Sequence, residues 1–121
     1  MLRPKPEYSA VPRALTHGPV RVWLAEALVA SGELEEARSA LDSIEQGAVE
    51  RGESGTLAHC WKVRAQLAEA AGDIAAAKIY YDRSLQRARQ LSMLPLCQAC
   101  GAALAALAAA QGSSVQGNVE V

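Results

Sequence analysis

The chain has 121 residues, a formal net charge of -1 and an apolar content of 50%, with no phenylalanine. That balance lacks the strongly basic surface that nucleic acid or an anionic membrane would call for. The apolar content is mostly alanine, and no β-branched alternation is bounded by hairpin turns, which argues against a sheet core and predicts one all-α domain.

Residues 1–17 hold Pro4, Pro6 and Pro12 with scattered charges. Prolines at that spacing prevent a regular helix, so this stretch reads as a flexible leader that lies against the first helix. It contains no apolar segment of the secretory type. Cys60, Cys97 and Cys100 are an odd number of thiols, read most simply as reduced cysteines of a cytoplasmic protein. The most apolar run, Ala99 to Ala110, falls short of the roughly 20 residues that span a bilayer.

The first helix is predicted from Pro19, with Val20, Trp23, Leu24, Ala27, Leu28 and Ser31 on its apolar face, and it ends at Gly32. The second starts near Glu33 with Glu35 and Glu36 in a dipole-favoured first turn, and buries Leu34, Ala37, Leu41 and Ile44. Gly47 costs this helix about 1 kcal/mol, yet the spacing continues to Arg51. A loop is expected over Gly52 to Gly55, with Ser54 or Thr56 capping a third helix, Leu57 to Ala71, that carries Trp61, Arg64, Ala65 and Ala68 along one side. Asp73 is placed to cap a fourth helix with Ile74, Ala77, Tyr81, Leu85 and Ala88 inside, and Lys78, Arg83, Arg87 and Arg89 form a basic face, read as solvated in preference to a contact with phosphate. A fifth helix is predicted from Pro95 to Gln111, and 113–121 reads as a disordered tail.

A forty-residue register aligns Gly32, Gly72 and Gly112 without a gap. It also aligns Ala25 with Ala65 and Ala105, Ala37 with Ala77, and Leu41 with Tyr81. Self-similarity at such a period predicts a helical-repeat solenoid over 18–112, about two and a half copies of an antiparallel helix pair. Trp61, Ala65, Gly72-Asp73, Ala77, Tyr81 and Ser84 in the second copy resemble the tetratricopeptide repeat (TPR) pattern. The first copy keeps Ala25, Gly32, Ala37 and Leu41 but has Arg21 where the tryptophan would stand. The length of the repeat and the segment Leu91-Ser92-Met93-Leu94-Pro95-Leu96 with Cys100-Gly101 are similar to the C-terminal repeat region of large bacterial nucleotide cyclases and LuxR-type ATPase signalling regulators. The catalytic modules of those proteins are not in this sequence, which has no phosphate-loop motif.

Chemistry has few footholds. Cys97-Gln98-Ala99-Cys100 is a Cys-x-x-Cys, but no second ligand pair and no preceding strand accompany it, and Cys60 and Cys100 fall at equivalent positions where small buried residues belong. His17 and His59 have no nucleophile at a motif spacing. A non-enzymatic protein without cofactor or metal is expected. The resemblance implies that the first helix of each pair lines a concave groove for a protein or peptide partner. By the register that groove holds Val22, Trp23, Glu26, Lys62, Val63, Gln66 and Glu69, with specificity from Glu26, Lys62 and Glu69. On the fifth helix the same positions are Ala99, Ala102, Ala103, Ala106 and Ala109. No matching sixth helix is read after it, so Leu104 and Leu107 are expected on an open stripe suited to self-association or to docking onto another chain. The reading is therefore a scaffold for protein contact. The competing one is a regulatory segment acting on cyclase or ATPase domains of another chain.

Overall fold

The computed structural model describes residues 18–119, which form five helices. These are α1 (Gly18–Ala30), α2 (Leu34–Arg51), α3 (Ser54–Ala70), α4 (Ile74–Gln90) and α5 (Leu94–Val119). The fold is all-α, with no strand among the described residues. The expected leader, 1–17, and the last two residues lie outside them.

All four turns between helices are built alike. At the first, the Gly32 N–H donates to Val29 O (3.0 Å) and the Glu33 N–H to Leu28 O (2.9 Å). The same pair of bonds recurs at Gly52-Glu53, Gly72-Asp73 and Ser92-Met93. Such a pair closes a helix through one left-handed residue. That residue is Gly32 (φ 84°), Gly52 (φ 67°), Gly72 (φ 85°) and Ser92 (φ 57°), at twenty-residue intervals. The next residue serves at once as the N-cap of the following helix at Glu33, Glu53 and Asp73. Only Asp73 caps with its side chain, accepting from the Ala76 N–H at 3.1 Å.

Side-chain bonds across each turn show that consecutive helices run antiparallel. The bonded residues sit at nearly equal distances either side of the turn: Arg21 with Ser43, Arg64 with Asp42, Ser84 with Ala58, and Cys100 with Ser84. α3 is the central helix. Its Cys60, Val63 and Leu67 join Val22 and Ala25 of α1 and Ala37, Leu41 and Ile44 of α2. Its Ala58 and Ala65 join Ala77, Tyr81, Leu85 and Ala88 of α4 and Leu96 and Cys100 of α5. Ala25, Ala37 and Ala48 recur forty residues on as Ala65, Ala77 and Ala88, and all six are fully buried. A methyl group is the largest side chain that lets two helix backbones approach closely, so these positions set how near the helices sit.

Several boundaries and faces differ from the sequence expectation. α3 begins at Ser54, so the loop is two residues long; Glu53 is the N-cap and Thr56 is buried inside the helix. α2 passes through Gly47 to Arg51, as the spacing suggested. α5 does not stop at Gly112 but continues to Val119, through most of the expected tail. A glycine within a helix costs only about 1 kcal/mol, which does not stop a helix of this length. α1 is rotated from the expected face: Val22 and Ala25 are buried, whereas Trp23 is 73% and Leu24 40% exposed. Arg83 and Arg87 are not simply solvated, since both guanidiniums stack on Trp61. Leu104 and Leu107 pack against the core shared with α4. The open side of α5 is alanine instead: Ala102, Ala105, Ala106 and Ala109 are exposed.

Candidate functional site

The surface shared by α1 and α3 gathers five of the expected groove residues. Trp23 and Glu26 from α1 meet Lys62 and Val63 from α3 around a depression of about 420 Å³. Val20, Val22 and His59 complete its lining. Val20 and Trp23 are one turn apart on α1, and His59 and Lys62 one turn apart on α3, so parallel helix faces bring the set together. A second depression of about 540 Å³ lies on the outer side of α1, between Val20, Trp23, Leu24, Glu26, Ala27 and Ala30. Trp23 therefore stands as a ridge between two hollows, most of its ring in solvent.

The charges in the groove are spent on each other. Lys62 Nζ lies 3.1 Å from Glu26 Oε2, with both side chains largely shielded. This pair crosses from α1 to α3 and leaves the groove floor electrically neutral. Val63 is 1% exposed, so it supports the floor from within the core and offers almost no contact area. Gln66 has a buried side-chain oxygen with no hydrogen-bond partner among the described residues. Glu69 accepts from the Tyr81 hydroxyl at 3.4 Å, a bond between α3 and α4. Burial, with the charge of Glu69 and this bond, pushes the Tyr81 phenol up to about 12. The expected set thus divides: Trp23 presents surface, Glu26 and Lys62 neutralise one another, and Val63 and Glu69 are tied into the fold.

His59 and Val20 are groove residues that the sequence reading did not place there. The signal was available for His59, which shares the α3 face of Lys62, Val63 and Gln66 at three-to-four-residue spacing. Burial and the nearby Lys62 charge lower the His59 pKa, opposed by Glu26. The imidazole is thereby kept neutral at pH 7.

The thiols sit elsewhere and serve packing. Cys60 and Cys100 are fully buried. Cys60 points its thiol at Leu41 O (3.8 Å), and burial pushes its pKa up to about 12. Cys100 donates to Ser84 Oγ at 3.3 Å, while Ser84 donates to Ala58 O at 2.7 Å. Burial also raises the Cys100 thiol. Among the described residues no three of His, Cys, Asp and Glu stand together as a metal site would require. Leu94–Gln111 of α5 is long and apolar enough by composition to cross a membrane, a test that helices of many water-borne domains also pass.

No protein-family model matches the sequence, and no curated protein or solved structure matches it either.

Proposed function

We propose that the chain is a TPR-like helical-repeat scaffold that holds an apolar segment of another protein against α1 and α3. The observation that carries this is Trp23, 73% exposed beside a hollow whose one ion pair is internally neutralised. Large exposed aromatics are expensive to leave in water and dominate binding where a partner covers them. The repeat reading is supported by the four equivalent turns and by the alanines buried forty residues apart.

The electrostatics favour an uncharged partner. With Glu26 and Lys62 satisfied by each other, a charged partner group would have to break that pair to gain anything. An uncharged segment loses nothing by displacing the water over Trp23 and Val20. The partner is therefore an apolar stretch, read by shape and not by charge.

Panning a random peptide library on the intact chain tests this. Enriched peptides should be apolar or aromatic, should lose binding to Trp23→Ala, and should keep binding to Val49→Ala, which removes an exposed apolar side chain on α2. Enrichment of acidic or basic peptides that bind both variants equally would defeat the assignment.

A further inference from the structure

We infer that Arg83 and Arg87 form a site for a phosphate monoester dianion on the α3–α4 face, separate from the Trp23 groove. The two arginines are one turn apart on α4, and their guanidinium carbons lie 5.5 and 5.4 Å from the centroid of the Trp61 ring. Arg83 also lies 5.7 Å from the Tyr80 ring. Two positive charges therefore share one aromatic platform.

Three other arginines are neutralised, Arg38 by Glu35, Arg51 by Glu53, and Arg64 by both Asp42 and Glu45, while Arg21 donates to Ser43 Oγ across the first turn. Arg83 and Arg87 make no ion pair among the described residues. Arg87 instead donates to Ser54 Oγ at 3.3 Å, which holds it beside the first residue of α3. The N-cap residue of α3, Glu53, makes no side-chain cap bond to its first turn. Its positive helix end thus adds to the two guanidiniums. Glu53, just before the first residue of α3, is bound by Arg51 at 2.9 Å, and Asp82, next to Arg83 in sequence, accepts from Gln86 Nε2 at 3.0 Å.

Cation–π contact with Trp61 engages each guanidinium without consuming its N–H donors, one of which Arg87 gives to Ser54 Oγ. It also orders a long side chain before any ligand arrives, which lowers the entropic cost of binding. The two guanidiniums together carry a charge of +2 over one ring. A phosphate monoester carries about -1.5 to -2 at pH 7 and has three acceptor oxygens, so it matches both forks at once. A single carboxylate would leave one arginine uncompensated.

Trp61 is also the reporter. The chain has two tryptophans, so Trp23→Phe leaves Trp61 as the only emitter. This protein is titrated at constant ionic strength with inorganic phosphate, with a phosphoserine peptide and with the unphosphorylated twin. The expected result is a saturable change in Trp61 emission with phosphate and the phosphopeptide, and none with the twin. Arg83→Gln or Arg87→Gln should weaken binding by about tenfold or more, since each removes charge-assisted hydrogen bonds. Saturation by the phosphopeptide well below the concentration needed with inorganic phosphate would identify a phosphorylated side chain as the ligand. Equal concentrations would identify free phosphate. Titrations that superimpose on sodium chloride, or parent-like binding by both arginine variants with unchanged melting temperatures, would overturn the assignment.

Discussion

Ser92 offers a clean perturbation, because it occupies the left-handed turn position that glycine holds at the three other turns. A left-handed backbone costs a residue with a Cβ roughly 1–2 kcal/mol. Replacing it by glycine removes that cost but frees the unfolded chain, which returns roughly 0.5–1 kcal/mol. Ser92→Gly is therefore expected to stabilise the fold by about 0.5–1 kcal/mol. In a chain of this size that raises the melting temperature by about 2–5 °C, measurable by circular dichroism. The reverse series is equally specific. A Cβ at Gly32, Gly52 or Gly72 would meet nothing within 4 Å, so substitution by alanine tests backbone conformation alone. Each alanine variant should lose about 1 kcal/mol, by similar amounts. Unequal losses, or a destabilised Ser92→Gly, would refute the claim that the four turns are equivalent.

Two other outcomes follow from the buried titratable groups. The folded state lowers the His59 pKa below its ordinary value, so below about pH 6.5 the unfolded chain binds more protons and stability falls as pH drops. Urea unfolding at pH 7.5 and 5.5 should show this loss, and His59→Gln should reduce it while leaving stability at pH 7.5 nearly unchanged. Of the three cysteines, Cys60 and Cys100 are buried and Cys97 is half-buried. A thiol reagent should therefore label one site rapidly in the native chain, that site should vanish in Cys97→Ser, and all three should react in denaturant; fast native labelling of Cys60 would contradict the packing described.

The turns were legible in the sequence where their chemistry was carried by the expected residue. Gly32 and Gly72 marked two reversals, and Asp73 announced the fourth helix by its capping carboxylate. The twenty-residue interval was harder to see, because Ser92 stands in a glycine's place while Gly47 and Gly55 lie within helices. The inner face of α1 was misread for a plain reason. The helix is apolar almost all round, so periodicity cannot choose a side; Ala37, Leu41 and Val63 choose it by packing on Val22 and Ala25. The candidate groove was half legible. The register placed Trp23, Glu26 and Lys62 together, but sequence spacing within α1 or α3 cannot reveal that Lys62 reaches across to Glu26. For the same reason the stacking of Arg83 and Arg87 on Trp61 was invisible: it joins two helices through a turn.

The proposed docking surface depends most on Trp23 being open to solvent and available to a partner. Trp61→Phe leaves it as the only tryptophan, and acrylamide quenching of its emission measures that exposure directly. A red-shifted emission, quenched nearly as readily as the free amino acid, is the predicted result. A blue-shifted emission resistant to acrylamide would show the α1 face already covered, and the docking surface would have to be sought elsewhere.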